Sequence, residues 1–482
     1  MYSDSLKQGA IKGMFWTSIE KVIRHSMQFV FGIILARLLS PDDFGIIGML
    51  AIFIAIAQTF TDSGLSNALI QKQNSSNADF STMFFFNIIV ASVFYISLFL
   101  LAPFIASFYH TSLLTDVTRI ASISILLSAL STVQNVRLTK DLRFKEQSII
   151  SISSTIVSGL VGVILAYRGW NVWALVFQAI TNQVVSTICI WITSKWVPNL
   201  IFSKESFSEL WSFGSKLLGS SLINTIYANI YAFVIGKKFT PLDVGHFNCA
   251  NQYAELPAQT IQDIVIKVNY PILAKIQNDN NELLKAYKKL LRLPLFILYP
   301  ILIGMTVLAK PLITTIIGEK WLPCTPIMQI ICIGALFSPL THINLNLLYV
   351  KGRTDLVLKL ELIKKPIAFA LLFALLPFGI LPLAIGKALY EFIAFSFNCY
   401  YTRQILGYGE IAQLKELLPI LAKASLMGVL IYILSNYFTN PFLTIPICTL
   451  IGAITYILLS AITHDESWME LKTVVLQKIK RS

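Results

Sequence analysis

Long apolar segments alternate with short polar ones along the whole chain. Crossing about 30 Å of hydrocarbon takes roughly 20 residues of helix. Apolar runs of about this length cover 12–37, 44–62, 79–103, 115–134, 147–167, 171–193, 211–235, 245–270, 288–313, 325–350, 361–379, 381–401, 417–437 and 441–462. The pattern predicts an all-α polytopic membrane protein with about fourteen transmembrane helices.

Composition indicates the same class of protein. Of the 482 residues, 55% are hydrophobic and 13% are charged, and the mean hydropathy is +0.69. Soluble globular domains carry about 25% charged residues. These values therefore exclude an ordinary soluble domain.

The distribution of Lys and Arg predicts the orientation, because basic residues stay mostly on the cytoplasmic side. With the N-terminus inside, the cytoplasmic loops and tail hold Lys72, Arg137, Lys140, Arg143, Lys145, Lys275, Lys285, Lys288, Lys289, Lys351, Arg353, Lys359, Lys472, Lys478, Lys480 and Arg481. The outside loops hold only Arg37, Arg168, Lys237, Lys238 and Lys320. The net charge of +13 is thus explained by topology and attraction to anionic lipid, and nucleic-acid binding is not indicated. Both termini are predicted to be cytoplasmic.

Several kinds of chemistry lack a sequence signature. The six cysteines lie in or beside apolar segments without paired spacing, and the five histidines form no metal-ligand pattern. A phosphate-binding loop of the GxxxxGK[ST] type is also missing. We expect no disulfide framework, metal, cofactor or ATP hydrolysis, and the chain is not predicted to be an enzyme.

Short polar phrases occur twice, about 200 residues apart. The sequence "SPDDFG" at 40–45 returns as "TPLDVG" at 240–245, and "AQTFTD" at 57–62 returns as "AQTIQD" at 258–263. Six helices return the chain to its starting side, so helices one to six and seven to twelve are predicted to be parallel repeats. Retention of an old duplication for packing alone is the alternative explanation.

The repeat predicts the domain organisation. The N-lobe covers 1–205 and the C-lobe 206–408, followed by two appended helices in 409–465 and a basic amphipathic tail in 466–482. Repeats of this kind place a substrate site between the halves near the bilayer midplane. This arrangement suits a transporter that opens alternately to each side.

Polar stripes inside apolar helices mark the candidate cavity, since a charge at the bilayer centre costs a few kcal/mol. The stripes lie on helices one, seven and eight, and the residues assigned to the cavity are Lys21, Arg24, His25, Gln28, Lys216, Asn224, Gln252, Glu255 and Gln259. Helices three, five, nine and fourteen are nearly uncharged and are expected to be lipid-facing or structural.

Four further charged residues are candidates for a gate or an ion-coupling site: Glu20, Asp62, Asp263 and Lys267. Asp62 and Asp263 end the repeated phrases and are predicted to reach the cytoplasmic rim together. A purely structural role is the alternative for three pairs at i, i+4 spacing, in which the two charges would neutralise each other between packed helices. These pairs are Glu20 with Arg24, Asp263 with Lys267, and Lys387 with Glu391. Glu20 can neutralise only one of the two cations Lys21 and Arg24, so the surplus favours an anionic ligand.

The amino-terminal half carries a family resemblance, in the motifs "LARLLSPDDFG" (35–45), "DSGLSNALIQK" (62–72), "FSTMFFFNIIVA" (80–91), "KDLRFKEQ" (140–147) and "GWNVWALVFQAI" (169–180). These motifs resemble the polysaccharide-export branch, with its Wzx-type and WzxC-like transporters, of the multidrug/oligosaccharidyl-lipid/polysaccharide flippase superfamily. The carboxy-terminal half resembles it mainly in helix pattern.

The resemblance implies a bacterial inner-membrane protein with two six-helix lobes in a V shape. Such a protein moves undecaprenyl-diphosphate-linked oligosaccharide across the membrane for O-antigen, capsule or exopolysaccharide synthesis, beside a polysaccharide polymerase and a chain-length regulator. The resemblance also implies a cationic cavity for the diphosphate, for which Lys21, Arg24 and Lys216 match best by position. Glu255 and Asp263 depart from that pattern. A proton or sodium ion is a candidate for coupling.

Two other classes of protein stay open. A cation-coupled multidrug antiporter of the same superfamily would need a carboxylate-rich pocket, and the basic face of helix one argues against it. A membrane polymerase or ligase acting on the same lipid-linked sugars would need a large outside loop, and the outside loops are all short.

Overall fold

The computed structural model describes the backbone of residues 2–62, 64–438 and 440–479. Side chains are described for residues 16–62, 64–262, 265, 272–438 and 440–473. Contacts divide the chain into two compact units, Met1–Gly245 and His246–Ser482.

The described chain is built from α-helices joined by short turns. Those beginning in the first unit are α1 (Tyr2–Leu38), α2 (Pro41–Asp62), α3 (Leu65–Gln71), α4 (Asn77–Phe108), α5 (Leu114–Ala121), α6 (Ile123–Lys140), α7 (Phe144–Tyr167), α8 (Val172–Ser194), α9 (Lys204–Lys238) and α10 (Pro241–Lys275). Those of the second unit are α11 (Asn280–Val307), α12 (Ala309–Ile316), α13 (Cys324–Ala335), α14 (Ser338–Val350), α15 (Thr354–Leu375), α16 (Ile380–Leu406), α17 (Glu410–Ser435), α18 (Pro441–Ile462) and α19 (Glu466–Ile479).

The predicted all-helical membrane fold is confirmed. Every predicted apolar run falls on a helix or on a consecutive pair of helices. Eleven spans among the described residues are long and apolar enough to cross a membrane. The long helices outside that set, α1, α10 and α15, are those that carry several charges in their middle. The chain is a multi-pass membrane protein.

The fourth and the tenth predicted helices, which occupy corresponding places in the two repeats, are each broken into two segments, as is the ninth, in which α11 and α12 meet at Leu308. The fourth predicted helix consists of α5 and α6, which meet at Ser122, and the tenth consists of α13 and α14, which meet at 336–337. Ser122 Oγ donates to the Arg119 carbonyl oxygen at 3.0 Å, which satisfies a backbone group near the break. The breaks in the fourth and tenth helices occur at equivalent places in the two predicted repeats.

The turns after these broken helices also match. Leu142 and Gly352 have φ values of 54° and 68°, in the left-handed region that closes a helix. The next residue then bonds back to its helix, with Arg143 N donating to Leu138 O at 2.9 Å and Arg353 N donating to Leu348 O at 2.9 Å. The turn geometry thus extends the repeat beyond the similar phrases.

Each unit has its own apolar core. In the first unit, Leu65, Leu69 and Phe84 pack with Val133 and Trp196. In the second unit, Leu348, Val357 and Leu360 pack with Tyr401. The predicted lobe boundary at 205/206 comes from the repeat and stays a prediction, whereas the boundary between the compact units falls after Gly245, inside α10.

The phrases "SPDDFG" and "TPLDVG" form two equivalent helix starts. Asp43 Oδ2 accepts from Ser40 N at 2.9 Å and from Ser40 Oγ at 2.7 Å, and Asp43 N donates to Ser40 Oγ at 3.3 Å. Thr240 and Asp243 make the same three bonds at the start of α10, at 3.1, 2.8 and 3.3 Å. Both phrases are reciprocal capping boxes that satisfy first-turn amides.

These two helix starts also cross each other at their glycines. A Cβ added to Gly45 would lie 2.5 Å from the Pro241 carbonyl carbon, and one added to Gly245 would lie 2.8 Å from the Pro41 carbonyl carbon. The contact is reciprocal, as expected for two copies of one motif related by a two-fold axis. Glycine is required here because only a residue without a side chain allows this backbone approach.

Candidate functional site

A polar cavity of about 520 Å³ lies within the first unit, bounded by α1, α6, α7 and α8. Its lining consists of Thr17, Glu20, Arg24, Gln28, Asn135, Phe144, Gln147, Ser148, Ile150, Ser151, Ser154, Thr155, Asn182, Ser186 and Ile190. Most of these side chains carry a hydroxyl, an amide or a charge. The cavity is large enough for a small charged group with several bound waters.

The charged part of the cavity is an ion pair whose carboxylate also accepts a hydrogen bond from a serine. Arg24 Nε donates to Glu20 Oε1 at 2.7 Å, one helical turn away on α1. Ser151 Oγ, on α7, donates to the same carboxylate oxygen at 2.7 Å. The Arg24 and Glu20 side chains are 27% and 13% exposed, so both are partly shielded. Ser151 therefore fixes the carboxylate, which in turn fixes the guanidinium.

The arginine keeps donor capacity beyond this pair. A guanidinium carries five N–H donors, and Nε supplies one of them to Glu20. Among the described residues, the two terminal nitrogens of Arg24 donate to no protein acceptor. These nitrogens suit an oxyanion with two adjacent oxygens, such as a phosphate or a carboxylate.

The uncharged wall of the cavity is held by its own hydrogen bonds. Gln147 Nε2 donates to Asn135 Oδ1 at 3.1 Å and to Thr139 Oγ1 at 2.9 Å. Asn182 Nδ2 donates to Ser158 Oγ at 3.1 Å. Amide and hydroxyl groups held in place this way can exchange hydrogen bonds with water or with ligand hydroxyls.

Three of the five charged or polar residues predicted on helix one line this cavity. Glu20, Arg24 and Gln28 are part of the lining, whereas Lys21 and His25 are not. Lys21 is half-buried and His25 is exposed. The face that lines the cavity therefore follows 17, 20, 24 and 28, displaced from the predicted stripe that begins at Lys21. The bond from Ser151 to Glu20 accounts for this rotation, because it aligns the Glu20 side of α1 with α7.

The predicted residues on α9 lie outside that lining. Lys216 and Asn224 are exposed. Next to Asn224, Thr225 Oγ1 lies 2.9 Å from Thr59 Oγ1 of α2, so α9 packs against α2 at this level. A place for Lys216 and Asn224 in one site with Arg24 stays a prediction.

In the second unit, the predicted carboxylate Glu255 is neutralised by a lysine from another helix. Lys387 Nζ on α16 forms an ion pair with Glu255 Oε1 and also donates to Asn251 Oδ1. Gln259 Nε2 donates to the other oxygen of Glu255 at 3.0 Å, and Gln252 is exposed. The basic residue missing from helix eight is thus supplied by α16.

A second charged group in this unit was not singled out by the sequence. Lys364, 2% exposed, pairs with Glu361 at 2.7 Å, and Lys365 approaches the same carboxylate at 3.6 Å. The spacings are i, i+3 and i, i+4, so the signal is present in the sequence. These residues lie on α15, outside the helices that carry the repeated polar stripes.

The gate candidates are only partly covered by the structure. Asp62 is exposed and accepts a hydrogen bond from Ser66 Oγ, at the junction of α2 and α3. The side chains of Asp263 and Lys267 lie outside the described residues. Their meeting with Asp62 at the cytoplasmic rim stays a prediction. Among the described residues, no three His, Cys, Asp or Glu side chains gather as metal ligands would.

One expectation needs correction. Helix five, here α7, was expected to be lipid-facing or structural because it is uncharged. It instead supplies Ser148, Ser151, Ser154 and Thr155 to the cavity. The overlooked signal is the run of hydroxyl residues spaced three or four apart on one face.

Comparison with known proteins places this chain in a family. Residues 34–326, more than half of the chain, match the model of a family described as polysaccharide biosynthesis protein. The teichuronic acid biosynthesis protein TuaB of Bacillus subtilis (strain 168) is 28% identical over 73% of both chains. The lipopolysaccharide biosynthesis protein WzxC of Escherichia coli (strain K12) is 26% identical over 75% of this chain and 74% of its own.

A solved structure agrees at the level of the fold. The lipid II flippase MurJ, in an inward closed conformation, matches with a TM-score of 0.76 over 95% of this chain and 99% of that chain, at 17% identity. The resemblance found in the sequence motifs is confirmed, and the chain belongs to the polysaccharide biosynthesis protein family.

Proposed function

We propose that the protein is a flippase that moves polyprenyl-diphosphate-linked oligosaccharide across the bacterial inner membrane by alternating access. The observation that carries the proposal is the polar cavity in which Arg24 has terminal N–H groups without a protein acceptor among the described residues. The relatives support it by their names, which refer to teichuronic acid and lipopolysaccharide biosynthesis. The fold shared with a lipid II flippase supports it as well.

The physical task of such a protein is to shelter a headgroup that hydrocarbon excludes. A diphosphate with attached sugars cannot cross the bilayer unaided, because burial of unpaired charge and polar groups is costly. The cavity offers one cation for the diphosphate and a wall of amides and hydroxyls for the sugars. The polyprenyl tail can remain in the lipid throughout.

In this proposal the ligand and Glu20 share the Arg24 guanidinium, Glu20 through Nε and the ligand through the terminal nitrogens. Glu20 neutralises Arg24 at 2.7 Å, which lowers the cost of a charge at membrane depth. An incoming diphosphate takes the terminal N–H groups in a bidentate contact. Lys21, His25, Lys216, Asn224, Gln252, Glu255 and Gln259 remain candidates for the rest of the path in the two lobes. A proton or sodium ion at Glu20, Asp62, Asp263 or Lys267 is the proposed source of coupling.

A cation-coupled multidrug antiporter fits the described residues less well. Its pocket would need a carboxylate available to a drug cation. Glu20 already accepts from Arg24 and Ser151, and Glu255 is paired with Lys387. Glu20 and Glu255 are therefore neutralised, which favours an anionic ligand at these two positions.

The test compares three variants in a strain that lacks its own flippase. Arg24→Ala should reduce surface polysaccharide about 10- to 100-fold, because a hydrogen bond to a charged group contributes about 1.5–3 kcal/mol, while membrane abundance stays near normal. Arg24→Lys should recover part of the loss, since it keeps the charge without the fork of donors. Arg119→Ala is the matched control, because Arg119 lies over the Phe99 ring outside the cavity lining.

Two results would contradict the proposal. Normal polysaccharide export by the Arg24→Ala variant would show that Arg24 is not part of the substrate-binding site. Loss of the Arg24→Ala protein from the membrane, with recovery in the double variant Arg24→Ala and Glu20→Gln, would make the pair a structural one.

A further inference from the structure

Two cysteines in the second unit lie side by side although they are 75 residues apart in sequence. Cys249 Sγ on α10 lies 4.0 Å from Cys324 Sγ, the first residue of α13. The two residues are 7% and 0% exposed, and both are free thiols. Sulfur atoms at this distance are in contact but not bonded, since a disulfide bond is about 2.05 Å long.

The segment around this pair is held together by other contacts. His246 Nε2 lies 3.3 Å from the Lys320 carbonyl oxygen, and the His246 ring packs edge-on against Trp321 at 6.1 Å. The start of α10 thus rests on the turn that leads into α13. The two sulfurs are brought together by this packing, which involves residues that precede each cysteine.

We propose that Cys249 and Cys324 form a disulfide bond in the cell, on the outer side of the membrane. The proposal rests on the orientation predicted from the basic residues, which places the turn containing Lys320 outside. A helix of 35 residues such as α10 is about 52 Å long, so it extends beyond the hydrocarbon of about 30 Å at both ends. Cys249, eight residues from the start of α10, then lies near the outer boundary of the hydrocarbon. Oxidising conditions there allow disulfides to form and persist.

The reaction is a thiol–disulfide exchange with an external disulfide, either a small molecule or a protein. One cysteine thiolate attacks the external S–S bond and releases one thiol, which leaves a mixed disulfide. The second cysteine attacks the protein sulfur of that mixed disulfide and releases the second thiol. The two protein thiols are oxidised, and the external disulfide is reduced by the same two electrons and gains both protons.

Burial sets the time at which this reaction can occur. Neither thiol is accessible once α10 and α13 have packed, so exchange belongs to insertion and folding, before the turn closes over the pair. The product links the outer ends of two helices that are separated by a long stretch of chain. The other four cysteines show no sulfur–sulfur contact among the described residues.

The experiment counts free thiols in the cell membrane. A chain that keeps only Cys249 and Cys324, the other four being replaced by Ala, is expressed, quenched in acid and denatured in detergent with a chelator. It is then treated with a polyethylene-glycol maleimide. We expect no addition without reductant and two additions after reduction. The matched control keeps only Cys332 and Cys399, both buried, and should add two in either case.

Two additions to the Cys249/Cys324 chain without reductant would overturn the proposal. If that chain fails to accumulate, peptide mass spectrometry of the full chain decides the matter by the presence or absence of a linked Cys249–Cys324 peptide. A wrong orientation is distinguished separately, because reporters fused in the loops would then give reversed results. Free thiols with reporters in the proposed orientation would count against the disulfide alone.

Discussion

Gly45→Ala should break the reciprocal crossing of the two helix starts. The added Cβ would lie 2.5 Å from the Pro241 carbonyl carbon, and the carbonyl oxygen is closer still. These are backbone atoms, so no side-chain rotation relieves the clash. A carbon–carbon contact needs about 3.5 Å, which means that α2 and α10 must separate by about 1 Å or more at this point.

The cost of that separation can be estimated. Overpacking in a close-packed interior costs about 1–3 kcal/mol. At about 2 kcal/mol, and with about 1.4 kcal/mol for each factor of ten, the equilibrium for opening the crossing shifts about thirtyfold. Gly245→Ala should have a similar effect, since its Cβ would meet the Pro41 carbonyl carbon at 2.8 Å. The double variant should cost less than the sum, because one displacement relieves both clashes.

Hydrogen–deuterium exchange of the purified protein in detergent is the assay. Amides in peptides covering 38–50 and 238–250 should exchange up to about thirtyfold faster in Gly45→Ala, since opening of the crossing exposes them. Gly32→Ala is the control, because nothing lies within 4 Å of a Cβ added there; its helix should be unchanged or slightly more stable. Unchanged exchange and an unchanged unfolding temperature in Gly45→Ala would refute the reasoning.

Three further outcomes are expected. Reporters fused near Arg143 or Lys288 should indicate cytoplasm, and one in the turn 436–440 should indicate the opposite side; the reverse pattern would overturn the orientation. Lys423→Met should release the last helix, α19, to added protease, because Lys423 pairs with the buried Asp465 that precedes it. Burial raises the pKa of Asp465, but the hydrogen bond from Lys423 and backbone N–H groups outweigh it, and the pKa ends below 3.8. The stabilisation that the Asp465 carboxylate gives to the attachment of α19 should therefore be complete above about pH 4 and be lost as the pH falls through the lowered pKa. Faster cleavage of α19 by an acid protease would report this loss.

The helices were predictable because hydrocarbon thickness fixes the length of each apolar run. The break within the fourth helix was not, since residue 122 is a serine with no Pro or Gly near it, whereas the break within the tenth is signalled by Pro339 in the first turn of α14. At the fourth helix, the Ser122 hydroxyl donates to the Arg119 carbonyl oxygen beside the break. Local sequence carries no rule for such a choice.

The candidate site was predictable where charge marked it and unpredictable where it did not. Glu20, Arg24 and Gln28 were identified because a polar residue in an apolar helix needs a partner. Ser151 could not be predicted as a site residue, since a serine hydroxyl in a helix can bond to its own backbone and so does not by itself indicate a partner. The ion-pair partner of Glu255 could not be predicted, for a different reason. Lys387 is 132 residues away in sequence, and no local spacing relates the two.

Two of the ion pairs, Arg24 with Glu20 and Lys387 with Glu255, suggest how charged side chains can be both shielded and functional in this protein. Arg24 is paired within one helix and Lys387 between two helices, and each carboxylate accepts a further neutral bond, from Ser151 to Glu20 and from Gln259 to Glu255. A lone charge at membrane depth costs a few kcal/mol or more, so in the proposed transport cycle a cavity that releases its ligand would need an internal counter-ion. In the proposed function, an anionic ligand on the terminal nitrogens of Arg24 adds negative charge beside the Glu20 carboxylate, and a proton or sodium ion at Glu20 would then restore neutrality. Ligand and coupling ion would thereby favour each other's binding at one site, by the reciprocity that linkage requires.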